Sequence, residues 1–202
     1  MNKQYYNNLD FMIGIENNAP YSFDRNIAKC KYNKYKKYIT NTLKKTPNIL
    51  VKKPYTFYPA ITSLIDKRFL GEDMYLMVLD CDTKENKNKA VDYLKKNKTE
   101  HFIIQSSPES YWIICNVIDS IPNIITLMRK IPGVDERYIN CSERDGVMVL
   151  RGFPKPGLVP QFGDTSKLTE DTMFNHWILN FKAYWESQFI KDFADKQFIE
   201  AI

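Results

Sequence analysis

Between residues 75 and 153 short apolar runs alternate with polar, lysine-rich stretches, and their lengths and periods predict the elements. Residues 75–82 (YLMVLDCD) form an apolar run closing on two aspartates, which predicts a strand. Residues 84–97 (KENKNKAVDYLKKN) have a helical pattern. Residues 101–107 (HFIIQSS) and 111–117 (YWIICNV) predict two more strands joined by a serine-rich turn. A helix over 121–131 (IPNIITLMRKI) and a strand over 147–153 (VMVLRGF) complete the series.

The flanks are less regular. Residues 1–22 are polar and asparagine-rich, a loop or a short lead-in strand around 11–15. Residues 24–45 predict a helix capped by Asp24, burying Ile27, Cys30, Tyr35, Tyr38, Ile39 and Leu43. Its other face carries Lys29, Lys31, Lys34, Lys36, Lys37, Lys44 and Lys45. That face is either simply solvated or a nucleic-acid surface with interleaved tyrosines for stacking. Pro47, Pro54 and Pro59 break 46–73 into short pieces, a strand at 55–58 and a helix at 61–69. Residues 169–202 predict a helix in which Trp177, Phe181, Trp185, Phe189 and Phe193 recur every four residues. Such a ladder is a packing surface, and its aromatic surplus leaves room for a partner. With no Gly/Ser linker and no repeat, 1–202 reads as one domain. It comprises an N-terminal module (1–73), a central palm (74–156) and a C-terminal helical extension (157–202). The central order is β-α-β-β-α-β, so the expected class is α+β, with a ferredoxin-like or RRM-like palm packed against an N-terminal α/β module and a C-terminal helix.

That order bears on chemistry. Alternate side chains of a strand share a face, so Asp80 and Asp82 point the same way with Cys81 between them. Two carboxylates aimed together repel unless a cation neutralises them. The doublet is either a solvated strand end or part of a divalent-cation site for hard oxygen ligands. In an antiparallel palm the hairpin at 106–110 and the loop at 133–136 arrive at the same end of the sheet. Asp80, Asp82 and Asp135 would then meet near Ser106, Ser107 and Ser110. Three acidic oxygens suit one or two Mg²⁺ or Mn²⁺ ions that bridge substrate phosphates. The serines would donate to a triphosphate, Arg151 would neutralise it by forked contacts, and Lys155 adds a second cation. The plain alternative is that all of these are ordinary polar turn residues.

Composition narrows the field. Of 202 residues 44% are hydrophobic and 14% aromatic, which implies a folded globular chain, and a net charge of +5 permits a polyanionic partner. Cys30, Cys81, Cys115 and Cys141 stand alone, with no CxxC and no Cys/His pair at ligand spacing, so neither zinc nor a disulfide scaffold is expected. The start has no signal-peptide core, and no apolar run reaches membrane-spanning length. The expected setting is intracellular, cytoplasmic and reducing, without a membrane partner.

The DCD doublet, the serine-rich hairpin before an aromatic strand (SSPESYWII), Val134–Asp135 and VLRGFPK resemble, in that order, the motifs of the archaeo-eukaryotic primase superfamily. The likeness is to its primase-polymerase and plasmid or viral replication branches, and covers roughly residues 75–156. It implies an RRM-like palm, catalytic Mg²⁺ or Mn²⁺ on Asp80, Asp82 and Asp135, and an incoming nucleotide held by the 106–110 hairpin, Arg151 and Lys155. It also implies template-directed transfer of nucleotides from NTP or dNTP on single-stranded DNA, with a helicase or other replication proteins as candidate partners. Many members place a nucleotide-binding histidine just after the serine-rich turn, where this chain has Tyr111 and Trp112. These two either stack on a base or sugar or fill the core. The alternatives are a catalytically degenerate, strand-binding relative or a structural subunit of a replication or viral complex. A standard RRM is disfavoured, because the first strand ends in two acids and the third lacks the basic-Gly-aromatic consensus.

Overall fold

The computed structural model describes residues 11–17, 19–23, 55–65, 73–152, 159–169 and 171–186. Within them the chain runs β1 (Phe11–Asn17), β2 (Ala19–Phe23), β3 (Tyr55–Thr62), β4 (Leu64–Ile65) and β5 (Met74–Cys81). It continues as α1 (Lys84–Lys96), β6 (His101–Gln105), β7 (Tyr111–Asp119), α2 (Ile121–Met128) and α3 (Glu136–Asp145). It closes with β8 (Val149–Arg151), β9 (Gln161–Phe162) and α4 (Met173–Trp185). The class is α+β, as expected. The helix expected at 24–45, Lys155, and the ladder positions Phe189 and Phe193 lie outside the described residues.

β5 is apolar from Tyr75 to Leu79 because both its faces are covered. Leu76 and Val78 pack with Ile104, Trp112 and Ile114 against Phe174, Trp177, Ile178 and Phe181 of α4. Tyr75, Met77, Leu79 and Cys81 face the opposite layer, where Leu94 of α1, Ile124 of α2 and Ile139 of α3 meet them. The five-stranded sheet has the order β4-β5-β7-β6-β9. Its pairings are antiparallel, with Asp80 opposite Trp112, and Trp112 opposite Ile104 on β6. No helix among the described residues is long and apolar enough to cross a membrane.

Three expectations change. Residues 61–65 are strand, not helix. β-Branched Ile61, Thr62 and Ile65 suit an extended chain, and hydrogen bonds are available on both sides. The Ser63 N–H donates to the Met148 carbonyl (3.1 Å), and the Ser63 carbonyl accepts from the Leu76 N–H (2.9 Å). This segment therefore fills the outer side of β5. β8, expected beside β5, pairs with β3 in a second sheet of order β2-β1-β3-β8. The third change is α3, which the sequence reading leaves as loop. Asp135 caps its start and left-handed Gly146 (φ 59°) ends it. Only Ile139 and Ser142 are buried on it, too few for a clear apolar stripe.

The α4 ladder is packing, as expected over its described part. The Phe181 ring lies 6.0 Å from Trp112, 5.7 Å from Phe162, 4.9 Å from Trp177 and 6.3 Å from Trp185, centroid to centroid. Phe181→Ala should therefore cost about 3–5 kcal/mol, read from urea denaturation. A loss below about 1 kcal/mol would mean that α4 does not seal this face.

Candidate metal centre

Three acids from two remote parts of the chain meet where β5 ends. Asp80, Asp82 and Asp135 each offer a carboxylate oxygen, and all three oxygens lie within 4.8 Å of one another. The sequence-based expectation that they converge is met. β4 pairs only with the start of β5, at Tyr75 and Met74. Farther along, the Asp80 carbonyl accepts a hydrogen bond from the Asp135 N–H (2.8 Å). The loop before α3 thus takes a β-strand's place at that edge, because a backbone carbonyl there needs a donor.

The loop reaches this position through Gly133. Its φ is +86°, and a Cβ there would stand 2.3 Å from the Asn86 carbonyl oxygen of α1. Only glycine permits so close an approach in that conformation. Two helices start at the acids. Thr83, next to Asp82, caps α1 by accepting the Asn86 N–H (3.1 Å). Asp135 caps α3 by accepting the Arg137 N–H (2.9 Å). Both helices thus begin beside the cluster, where the dipole favours negative charge. That arrangement lets three like charges share one place.

Cys81 does not join the donor set. It is fully buried on the opposite face. Burial, then the charges of Asp80, Asp82 and Asp135, push its thiol up to about 12, with Lys87 opposing. With the sulfur turned into that core, the donors gathered at the strand end are hard oxygens, which suit a hard divalent cation. Burial and then the Asp80 charge raise the Tyr138 phenol as well, which places Tyr138 within the field of the cluster.

The remaining expected residues occupy the same end of the sheet. Trp112 stands directly across from Asp80, and Tyr111 across from Cys81 and Gln105. The serine-rich turn begins at the next residue of β6, so it sits two strands from the acids, about 10 Å at ordinary strand spacing. Arg151 reaches over from β8. Its Nη2 donates to the Ser106 carbonyl (3.0 Å), and its guanidinium lies 5.6 Å from the Trp112 ring centroid. Arg151 and the hairpin, each expected at an incoming nucleotide, are thus in contact with one another through the hairpin's backbone. Ser106 is buried, and the Ser107 hydroxyl accepts the Ser110 N–H (3.2 Å). Trp112 is 5% exposed and packs on Phe181, so of its two readings it fills the core. Lys87, on the helix predicted over 84–97, lies with its Nζ 5.1 Å from the Tyr111 ring centroid. Nothing in the sequence singles it out among its neighbouring lysines. Gly133 had a signal, the Pro-Gly turn dipeptide.

No protein-family model, curated protein or solved structure matches this chain.

Asp135 has two separable roles. Asn caps as well as Asp, so Asp135→Asn should hold stability to within about 0.5 kcal/mol yet weaken Mn²⁺ binding at least tenfold. Asp135→Ala should also lose about 1 kcal/mol of capping. Equal Mn²⁺ affinity in wild type and Asp135→Asn would remove Asp135 from the ligand set. For Gly133→Ala the expected loss is about 2 kcal/mol or more, with weaker Mn²⁺ binding because the Asp135 loop must shift. Unchanged melting and binding would contradict the close approach.

Proposed function

We propose that the protein is a primase- or polymerase-type nucleotidyltransferase, carrying out template-directed transfer with Mg²⁺ or Mn²⁺ on Asp80, Asp82 and Asp135. The observation that carries the reading is the convergence of these carboxylates within 4.8 Å at the edge of an antiparallel sheet. The β5-β7-β6 order with α1 and α2 on one face supports reading the central unit as an RRM-like palm. Its fourth strand would be represented by the 61–65 segment in place of β8. The archaeo-eukaryotic primase superfamily remains the family whose motif order this chain resembles.

The substrates under this reading are single-stranded DNA template, a primer or first nucleotide, and a nucleoside triphosphate. The 3′-hydroxyl oxygen attacks the α-phosphorus, and the bond to the bridging oxygen breaks, releasing pyrophosphate. Divalent ions there would lower the cost of charge on the attacking and leaving oxygens. The chain's own part is positional. Asp80 and Asp82 are aligned by β5, and Asp135 is fixed by its backbone bond to Asp80. Arg151 is held at the hairpin by Ser106 and Trp112, where it offers positive charge to phosphate oxygens. Lys155 is its proposed companion, and Tyr111 together with the Ser107–Ser110 turn would border the nucleotide.

One observation favours a second reading. Where many relatives would carry a nucleotide-binding histidine, this chain has Tyr111 beneath Lys87 and a buried Trp112. A strand-binding protein without chemistry, part of a replication assembly with a helicase or similar partner, is that alternative.

Primer extension on a single-stranded template with Mn²⁺ and nucleoside triphosphates separates the two. The expected result is metal-dependent incorporation that falls at least 10³-fold in the Asp80→Asn/Asp82→Asn variant, the scale of losing metal-assisted charge stabilisation. Incorporation surviving that change would sink the site assignment. Salt-sensitive strand binding indifferent to Mn²⁺ and triphosphate, with no incorporation by wild type, would establish the second reading.

A further inference from the structure

The turn between β6 and β7 spends its own donors on itself. The N–H groups of Ser106 (2.9 Å) and Ser107 (3.3 Å) both donate to the Ser110 carbonyl. The Ser110 N–H donates to the Ser107 hydroxyl (3.2 Å), and the Gln105 amide donates to the Pro108 carbonyl (2.9 Å). Pro108 has no N–H to give. What the turn offers to the rest of the chain is an acceptor, the Ser106 carbonyl, which takes the Arg151 guanidinium at 3.0 Å. An ionised phosphate presents acceptors only, so such a carbonyl serves it by holding a donor. The pose of that donor is fixed from other sides as well. Arg151 lies opposite Ala60 in the β3–β8 ladder, and the Tyr184 hydroxyl donates to the carbonyl of Gly152, the next residue. The guanidinium lies 5.6 Å from the centroid of the Trp112 ring, itself buried against Phe181. A guanidinium held in one pose loses less freedom when it grips a phosphate.

We propose that the serine-rich turn serves phosphate recognition through Arg151, with Ser107 as a positioning residue. The Ser107 hydroxyl closes the turn, the closed turn fixes the Ser106 carbonyl, and that carbonyl aims the guanidinium. Ser107 thus acts on the triphosphate without touching it. The inference rests on Arg151 being a phosphate contact of the proposed nucleotidyltransferase, and it assigns the hairpin's part to the backbone geometry of the turn.

The test is calorimetric titration of the full chain with Mg²⁺–tripolyphosphate, in wild type, Ser107→Ala, Ser107→Thr, Arg151→Met and the double variant Ser107→Ala/Arg151→Met. Ser107→Ala should weaken binding about three- to tenfold, the scale of one neutral hydrogen bond. Ser107→Thr, which keeps the hydroxyl, should stay within about twofold of wild type. In the Arg151→Met background, Ser107→Ala should weaken binding no further. A penalty that persists there means that Ser107 meets the phosphate directly, which overturns the proposal and leaves the reading of Arg151 intact. A second readout does not depend on Arg151→Met folding. Rotation of the Arg151 guanidinium, followed by side-chain ¹⁵N NMR, should be slow in wild type and Ser107→Thr and faster in Ser107→Ala. Equal rotation in all three also overturns the proposal. Failure of the underlying reading looks different. Wild type would then bind no tripolyphosphate, or Arg151→Met would bind it as wild type does, and the proposal falls with that reading.

Discussion

The hydrogen bond from the Asp135 N–H to the Asp80 carbonyl, 2.8 Å long, is the contact on which the site depends. β5 is a central strand whose outer partner, β4, is two residues long. Past that partner its backbone polar groups still need satisfaction, and the loop before α3 supplies the donor. The third carboxylate arrives with it. Gly133 sets how far the loop can come, since any side chain there would collide with the first turn of α1. A backbone need at a sheet edge has thereby become a way of gathering side-chain charge.

The cluster persists because its surroundings offset the repulsion. Two helices begin beside it, and Asp135 uses one carboxylate oxygen to cap the second of them. On one side Lys87 is held over Tyr111, and across the sheet Arg151 is held over Trp112. Both cations rest on aromatic rings, and Arg151 also donates to the Ser106 carbonyl. The aromatic packing under Trp112 reaches α4 through Phe181. The helix that seals the core thus also supports the platform on which Arg151 lies.

The elements between residues 75 and 128 were readable because their signals are local. Apolar runs bounded by turn residues gave β5, β6 and β7, and the helical pattern of 84–97 gave α1. The acidic set was also readable, since strand alternation aligns Asp80 with Asp82 and the topology returns Asp135 to the same end. What stayed hidden depends on partners remote in sequence. Residues 61–65 are extended because Ser63 bonds to both Met148 and Leu76, which no local pattern records. α3 lacked a broad apolar stripe, although Asp135 before it and Gly146 after it are the cap signals of a helix. Lys87 was one lysine among several until its ring partner was placed. Trp112 was undecided in sequence because core packing and base stacking ask for the same side chain.

The central claim is that Asp80, Asp82 and Asp135 share one cation, and crystals soaked in Mn²⁺ test it most directly. The account predicts an anomalous-scattering peak about 2.1 Å from an oxygen of each of the three carboxylates. A map with no peak there, or with Asp135 turned away from an ion held by the other two, would contradict it.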